Sequence, residues 1–285
     1  MSFWHVVAVG AAGLALGFVI AKMLKITLRR ARDDHAKRPA LWNRFYSIDW
    51  GDTTTNNYGF APAEGDHPQR FQHQMYLQLL HRLREAREVK TGLKLLEVSC
   101  GRGGGLNALL SKAPEIDATG LDVAHSAVDF CRRTNGENDR LRFVQGSALD
   151  LPFPDGTFDA VLNVEASNDY PDRARFFREA ARVLKPDGIL LYADTMKQGR
   201  REGMEQDLLS AGFEAEFRDI TSNVAEACRL DSPRRREVIR RHAPVFGRLL
   251  LKRQLHNYAA IEGSSKFDAF VEGRRSYLMT AATKG

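Results

Sequence analysis

The sequence predicts a doubly wound α/β fold with a seven-stranded sheet, a helical cap inserted between the last two strands, and an N-terminal transmembrane helix. Apolar segments of strand length alternate with helical segments along most of the chain. A glycine-rich turn, "CGRGGG" at 100–105, follows the first of these strands. Near the start, a run of nineteen residues from Phe3 to Ala21 has His5 as its only polar side chain.

The N-terminal run is long enough to cross a bilayer as a helix, which takes about twenty apolar residues. Basic residues follow the run from Lys22 onward and none precedes it, so the positive-inside bias places the N-terminus outside and the rest of the chain in the cytoplasm. We therefore expect a single-pass membrane anchor over 1–26, with a cleaved or buried apolar helix as the alternative. Gly13 and Gly17 have the GxxxG spacing that would allow a homodimer through this helix.

The charge of the chain is unevenly distributed around its net value of +6. Residues 1–50 contain eight basic and three acidic side chains, and residues 222–285 contain thirteen and six, whereas the middle of the chain is acidic. Basic ends favour an anionic partner, either nucleic acid or a membrane surface. Because the apolar N-terminus favours the membrane, we expect a membrane surface and no nucleic acid.

The segment 27–60 is predicted to be a linker followed by an aromatic lid. Residues 27–41 are charged and contain Pro39, and residues 42–60 contain aromatic side chains without helical or strand period. The second part is interpreted as an ordered lid over a site or as a loop fixed by aromatic packing. Apolar residues at four-residue spacing then predict an amphipathic helix over 69–89.

A single large domain is predicted over 61–285. Its strands are expected at 94–100, 117–123, 141–148, 158–166, 188–195, 214–221 and 276–284. The continuous apolar runs of the first, fourth and fifth strands fit a parallel sheet that is buried on both faces. The three cysteines, Cys100, Cys131 and Cys228, have no metal or disulfide spacing, which favours a reducing compartment. No metal is expected.

The insertion 222–275 is predicted to form a cap of two or three helices, with helix starts at Ser232-Pro233 and Pro244. Five arginines of the cap precede an apolar stripe, and they are Arg234, Arg235, Arg236, Arg240 and Arg241. They form either a solvated face or a basic amphipathic surface that lies on an anionic membrane.

The glycine turn lies where parallel sheets bind ligands, beyond the carboxyl ends of the strands. Glycines allow backbone amides to face a ligand, and the helix that follows favours negative charge at its N-terminus. Glu97 ends the first strand and Asp122 the second, where an acid can bind both hydroxyls of a ribose. Adenosyl and nicotinamide cofactors share this arrangement, but Leu106 stands where the dinucleotide fingerprint has its third glycine.

Five segments together resemble the successive motifs of class I S-adenosylmethionine-dependent methyltransferases, which have a Rossmann-like fold. They are "LLEVSCGRGGG", "GLDV", "LPFPDGTFDAVLNVEAS", "YPD" and "REAARVLKPDGILLYAD". "NNYGF" at 56–60 and "AIEGSSKFDAFVEG" at 260–273 are similar to the subgroup of phthiotriol dimycocerosate and fatty-acid O-methyltransferases. The resemblance covers roughly 42–285 and excludes the apolar N-terminus.

The resemblance implies S-adenosylmethionine as the cofactor and assigns residues to it. Those residues are Glu97, Ser99, Gly101 and Gly103 at the methionine half, Asp122 at the ribose, Val123, Ser147 and Ala148 at the adenine, and Asn163 near the sulfonium. Tyr58, Glu165 and Tyr170 are expected to contact the acceptor.

The chain departs from the subgroup after the fourth strand, where relatives tend to have "EASH" and this chain has "EASND". A hydroxyl acceptor usually needs a base near its proton. Asn168 cannot act as a base and would only orient the acceptor, whereas Asp169 can take a proton. The alternatives are that Asp169 caps the helix that starts near Pro171, or that the acceptor is already an anion, such as a carboxylate.

The predicted function is therefore methyl transfer from S-adenosylmethionine to an oxygen of a hydrophobic lipid- or polyketide-like acceptor at a membrane. Transfer to nitrogen, carbon or sulfur of a small hydrophobic metabolite, and cofactor binding without turnover, are the alternatives. A nicotinamide oxidoreductase is disfavoured by Leu106 and by the lack of a recognisable Ser/Tyr/Lys set.

Overall fold

A computed structural model of the chain describes residues 38–243, Val245 and residues 251–285. The predicted transmembrane helix over 1–26, the rest of the linker up to residue 37 and the predicted helix start at Pro244 lie outside the described residues. Within the described part, none of the helices combines the length and the apolar character needed to span a bilayer.

The described chain alternates strands and helices around one sheet. The strands are β1 (Leu93–Val98), β2 (Ile116–Asp122), β3 (Leu141–Gln145), β4 (Phe158–Val164), β5 (Leu184–Lys197), β6 (Phe213–Glu214), β7 (Arg218–Asp219) and β8 (Arg275–Lys284). The helices are α1 (Arg38–Tyr46), α2 (Arg70–Ala86), α3 (Gly104–Leu110), α4 (His125–Asn135), α5 (Arg173–Val183), α6 (Arg201–Ser210), α7 (Thr221–His242), α8 (Lys252–Tyr258) and α9 (Ser265–Val271), with a 3₁₀ turn at Ser167–Asp169.

The sheet has the order β3-β2-β1-β4-β5-β8-β6, and β7 also pairs with β8. The first five strands are parallel, as predicted. The prediction was wrong for β8, which is antiparallel to β5 and makes the sheet mixed. The chain re-enters the sheet from the cap at the carboxyl end of β5, where Arg275 pairs with Lys197, and it must therefore run back.

The predicted sixth strand, 214–221, is divided into two short strands, and α7 already begins at Thr221. Most of this segment is exposed; Ile220 is buried within it, and the buried Phe213 directly precedes it. Few buried side chains are available to hold a continuous strand at this edge, and each short strand pairs only with β8.

Two hydrophobic layers cover the faces of the sheet. Leu95 points into the layer that contains Leu79 of α2, and its neighbour Leu96 points into the layer that contains Phe176 of α5. This alternation explains the continuous apolar run of β1, because both of its faces are buried. The predicted amphipathic helix over 69–89 is confirmed as α2, which buries Phe71 and Leu83 at the predicted spacing.

The start of the described chain, predicted as linker and aperiodic lid, contains the helix α1. Its aromatic side chains pack on one another, with the ring of Phe45 5.4 Å from that of Tyr46 and 5.4 Å from that of Trp50. These side chains pack on one another and do not form an apolar stripe that faces the sheet. For this reason the spacing of apolar residues in the sequence did not predict α1.

The cap consists of α7, α8 and α9 in the described residues, in agreement with the two or three predicted helices. Ser232-Pro233 does not begin a helix, because α7 continues through Pro233. The hydroxyl of Ser232 donates to the carbonyl of Cys228 and accepts from the amide of Glu262, which holds the helix on both sides of the proline. Proline has no N–H group, so the carbonyl of Arg229, four residues earlier, lacks its helical hydrogen bond. Arg229 is an exposed residue.

The arginines of the cap are not one uniform basic face. Arg235 is buried and bonds to Asp231, and Arg234 pairs with the same carboxylate. Arg240 and Arg241 both pair with Glu237, and Arg236 donates to the carbonyl of Glu262. Much of the positive charge of this segment is therefore used within the cap itself.

Candidate active site

The glycine turn connects β1 to α3 at the carboxyl edge of the sheet. Ser99, Gly101 and Gly103 all have positive φ, at 65°, 55° and 72°. A Cβ atom on Gly101 would lie 2.8 Å from the hydroxyl of Tyr46, so this position has no space for a side chain. The turn thus brings backbone amides to the surface of the site without side chains in front of them.

Asp122 lies at the end of β2 and is almost fully buried beside the glycine turn. One carboxylate oxygen accepts the amide of Gly101 at 2.9 Å and the other accepts the amide of Ala124 at 2.9 Å. Burial raises the pKa of Asp122, and these backbone bonds oppose that rise. Each oxygen retains a lone pair that can accept a ligand hydroxyl.

Glu97 lies near the end of β1 and is 1% exposed. Its Oε1 accepts the hydroxyl of Tyr76 at 2.6 Å, whereas its buried Oε2 has no hydrogen-bond partner among the described residues. Burial raises the pKa of Glu97 to about 8, and the charge of Asp122 adds to the rise. A buried carboxylate oxygen without a donor suits a ligand that brings one, such as a primary ammonium group.

Tyr170 lies with the predicted cofactor residues, although it was expected to contact the acceptor. Its hydroxyl is 2.7 Å from the hydroxyl of Ser99 and accepts from Nδ2 of Asn163 at 2.9 Å. The same amide donates to the carbonyl of Val98, and the buried Oδ1 of Asn163 has no partner in the described part of the chain. These contacts join the ends of β1 and β4.

The residues predicted at the adenine come together at the ends of β2 and β3. Asp122 pairs with Gln145 across the two strands, and the side-chain amide Nε2 of Gln145 donates to the carbonyl of Val123. The hydroxyl of Ser147 accepts the amide of Leu149 at 3.1 Å, and Ala148 is buried in a core layer. Ser147 therefore stabilises its own loop beside Asp122.

A second cluster surrounds Glu165, which follows β4 and has φ of 53°. Its Oε1 accepts the amide of Tyr58 at 2.7 Å and the hydroxyl of Tyr277 at 2.8 Å. Burial raises the pKa of Glu165 to about 8. Lys266 donates to the hydroxyl of Tyr58, and its ammonium group also lies over the rings of Tyr58 and Tyr258, at 5.0 and 5.8 Å.

Asn168 and Asp169 lie on the 3₁₀ turn between the two clusters. The side chain of Asn168 donates to Oδ1 of Asp194 and to the carbonyl of Thr195, both at 2.7 Å, so it holds the turn to β5. The interpretation of Asp169 as a helix cap was wrong, because Asp172 accepts the amide of Arg175 at the start of α5. Burial raises the pKa of Tyr258, and the charge of Asp169 adds to that rise. Burial lowers the pKa of Lys266 to about 8, and the charge of Asp169 opposes that change.

Arg102, inside the glycine turn, fixes the aromatic lid over the site. Its guanidinium group donates to the carbonyls of Ile48 and Thr53 and lies 4.4 Å from the ring centre of Phe130. The amide of Gly104 donates to the carbonyl of Thr54, which adds a backbone bond between lid and turn. The lid and the turn are thus held together directly.

The sequence did not single out several side chains of the two clusters, namely Tyr46, Tyr76, Arg102, Tyr258, Lys266, Arg275 and Tyr277. Tyr76 follows Met75 on the buried face of α2. The apolar periodicity of this helix could therefore have indicated that Tyr76 faces the sheet. Lys266 lies within the quoted segment 260–273. Arg275 and Tyr277 begin β8, and they reach the carboxyl edge of the sheet only because that strand is antiparallel.

Comparisons with known proteins agree with this geometry. A family model described as "Methyltransferase domain" matches residues 96–192. The chain is 36% identical over 190 residues to the probable phthiotriol/phenolphthiotriol dimycocerosates methyltransferase 2 of Mycobacterium ulcerans (strain Agy99), a match that covers 66% of this chain and 71% of the relative. It is 44% identical over 136 residues to the fatty-acid O-methyltransferase of Mycolicibacterium smegmatis, covering 48% of this chain and 47% of that protein.

Among solved structures, a putative sarcosine dimethylglycine methyltransferase from Galdieria sulphuraria has the same fold, with a TM-score of 0.68 and 20% identity. The match covers 86% of this chain and 98% of that one. Further structures with this fold contain S-adenosylmethionine or S-adenosylhomocysteine. Within the described residues, no group of three or more His, Cys, Asp or Glu side chains is arranged to hold a metal ion.

Proposed function

The chain belongs to the S-adenosylmethionine-dependent methyltransferases, as a relative of the phthiotriol dimycocerosates and fatty-acid O-methyltransferases, and we propose that it methylates an oxygen of a hydrophobic, lipid- or polyketide-like acceptor. The predictions of the enzyme class and of S-adenosylmethionine as cofactor are confirmed. When bound, the cofactor supplies an electrophilic methyl group on a sulfonium. The residues of this chain supply binding, alignment and the environment of the acceptor.

The unpaired Oε2 of Glu97, next to Asp122, is the observation that carries the assignment of the cofactor site. We propose that Oε2 of Glu97 accepts a hydrogen bond from the amino group of the methionine half of the cofactor. This group would provide the donor that the buried oxygen lacks. The two oxygens of Asp122 would accept hydrogen bonds from the ribose hydroxyls. The glycine turn would then lie against the part of the cofactor that connects the ribose to the amino group. Asn163 and Ser99, joined through Tyr170, would border the sulfonium.

We assign the cluster around Glu165 to the acceptor. It lies beyond the carboxyl end of β4 and beside Ala193 of β5, and aromatic side chains line it, among them Tyr58, Tyr258 and Phe270. Apolar walls with a few polar groups are typical of sites for hydrophobic small molecules. The names of the two mycobacterial relatives, which refer to lipid acceptors, support the same class.

A hydroxyl acceptor must lose its proton during transfer, and we propose Asp169 as the group that would accept that proton. Asn168 would hold the turn in place through its two bonds to β5. The variant Asp169→Asn keeps the shape and removes the basicity, so turnover of a hydroxyl acceptor should fall by about 10²–10⁴-fold. Full activity of this variant on an alcohol would exclude Asp169 as the base.

We also propose that the apolar segment 1–26 anchors the enzyme to a membrane, with the catalytic domain in the cytoplasm. The support is the sequence: nineteen residues with one polar side chain, followed by basic residues. Deletion of residues 1–26 should move the protein from the membrane fraction to the supernatant. The idea fails if the shortened protein still sediments with membranes after a high-salt wash.

Turnover with a lipid extract tests the proposed function. Full-length protein, S-adenosylmethionine and the extract should give S-adenosylhomocysteine and a methylated lipid, and the variant Asp122→Ala should give little of either. Binding of S-adenosylmethionine without any turnover, over extracts of different composition, would indicate a cofactor-binding protein instead.

A further inference from the structure

The second half of the cap carries an excess of basic side chains. Residues 236–258 contain six Lys or Arg residues and one acidic residue, Glu237. Five of the six lie in the described residues and are exposed, and we call them the basic patch: Arg236, Arg240, Arg241, Lys252 and Arg253. Arg234 and Arg235 lie outside it, because both pair with the buried carboxylate of α7. Against the two acids Glu237 and Glu262, whose carbonyl contacts Arg236, the five cations leave a positive excess.

The two helices that carry the basic patch, α7 and α8, pack against each other. Leu255 of α8 lies in one apolar cluster with Ile239 near the end of α7. Burial lowers the pKa of His256 in α8, and the charges of Lys252 and Arg236 lower it further. Cations of both helices therefore act on the same group, and their charges add to one positive potential at the surface of the cap.

Exposed apolar side chains lie in the same part of the chain. Val245 is 61% exposed and Tyr258 is 38% exposed, and both fall within residues 236–258. Of the five large apolar side chains that are exposed in the described residues, four belong to the cap, and Leu209 is the exception. Cations together with exposed apolar side chains suit the headgroup region of a bilayer. A nucleic acid would contact the cations through its phosphates and would leave Val245 in water.

The basic patch is next to the cluster that we propose for the acceptor. Tyr258 ends α8, and its ring lies 5.8 Å from the ammonium group of Lys266. The ring of Phe45 in α1 lies 5.6 Å from that of Tyr258, so α1 contacts the same helix. Eleven residues separate the apolar segment 1–26 from α1, and they reach about 40 Å at most. A membrane that holds the apolar segment would therefore be within reach of α8.

We propose that the basic patch binds the surface of an anionic lipid bilayer and holds the acceptor cluster against the membrane that contains the acceptor. The docking does not depend on the methyl-transfer chemistry, whereas uptake of the acceptor from the bilayer rests on the proposed function. Each cation near an anionic membrane strengthens binding about fivefold. With five cations and two acids, the docked state is favoured about hundredfold on anionic over neutral lipid.

Hydrogen exchange of the full-length protein on lipid vesicles tests the docking. The vesicles contain either phosphatidylcholine alone or equal parts of phosphatidylcholine and phosphatidylglycerol, and mass spectrometry follows peptides from 236–243 and 251–258. We expect amide exchange in these peptides to be about tenfold slower on the anionic vesicles than on the neutral ones, because docking stabilises both helices. High salt should abolish the difference, since it screens charges at a surface.

Two variants with the same change in net charge separate the basic patch from the total charge of the protein. The test variant contains Arg241→Gln, Lys252→Gln and Arg253→Gln. The control contains Lys90→Gln, Lys94→Gln and Lys112→Gln, which are exposed lysines near the starts of β1 and β2. The test variant should lose the slower exchange on anionic vesicles, and the control should keep it. Wild-type affinity for S-adenosylmethionine in both variants shows that they fold.

Equal exchange of the wild type on neutral and anionic vesicles would overturn the inference. Equal loss of the effect in both variants would overturn it as well, because total charge and not the basic patch would then be the cause. Slower exchange of the same peptides with duplex DNA, but not with anionic vesicles, would replace the membrane by nucleic acid. Docking of a protein that methylates nothing in a lipid extract would support the inference and reject the proposed methyl transfer.

Discussion

At the scale of single residues, Glu97 combines complete burial with an oxygen that has no partner in the described chain. Position alone predicted this residue, because an acid at the end of the first strand lies at the ligand edge of the sheet. The sequence could not predict the unequal use of its two oxygens. That depends on Tyr76, which α2 carries to Oε1 from 21 residues away.

The variant Glu97→Gln tests this assignment. The amide cannot form a charged bond with an ammonium group, so the affinity for S-adenosylmethionine should fall about ten- to hundredfold. Stability at pH 7 should change little, because a carboxyl group with a pKa of about 8 is already mostly neutral there. Calorimetric titration measures the affinity, and Glu88→Gln, at an exposed position, is the control. Unchanged affinity in Glu97→Gln would remove Glu97 from the cofactor site.

At the scale of elements, Arg235 connects the cap helix α7 to the lid. The side chain is 7% exposed, bonds to Asp231, and donates to the carbonyls of Tyr58 and Ala259. The sequence presented Arg235 as one member of a basic run. Its partners at 58 and 259 are distant along the chain, so no local pattern could separate it from its exposed neighbours.

The variant Arg235→Met should lower the free energy of unfolding by about 3–5 kcal/mol, because it removes one partner of a buried ion pair. Arg234 still contacts Asp231 in the variant, so the lower end of this range is expected. Urea unfolding measures the change. Arg236→Met is the matched control. Arg236 is adjacent to Arg235, and its hydrogen bond to the carbonyl of Glu262 is exposed. Equal destabilisation by both substitutions would show that the buried pair is not the cause.

The direction of β8 is a feature of the sheet that the sequence did not predict. Alternating apolar and helical segments located the parallel strands β1 to β5, because each of these strands is buried on both faces. The same pattern carries no information on the direction of a strand that follows a long insertion. The antiparallel return brings Arg275 and Tyr277 to the carboxyl edge. The sequence therefore did not single out these two residues of the cluster that we propose for the acceptor.

At the scale of the whole molecule, the two halves of the site differ in how they are built. Strand ends and the glycine turn form the proposed cofactor half, and these follow from local sequence at Glu97, Gly101 and Asp122. The proposed acceptor half is assembled from the lid, the turn after β4, the cap and β8. Contacts such as those of Lys266 with Tyr58, which are 208 residues apart, depend on the complete fold.

The position of the transferred methyl group tests the account most directly. Full-length protein is incubated with S-adenosylmethionine carrying a deuterated methyl group and with a lipid extract, and the products are identified by mass spectrometry. The account predicts that the deuterated methyl group is bonded to an oxygen atom of a lipid and that S-adenosylhomocysteine forms with it. Deuterium on a carbon, nitrogen or sulfur atom of the methylated product would contradict it.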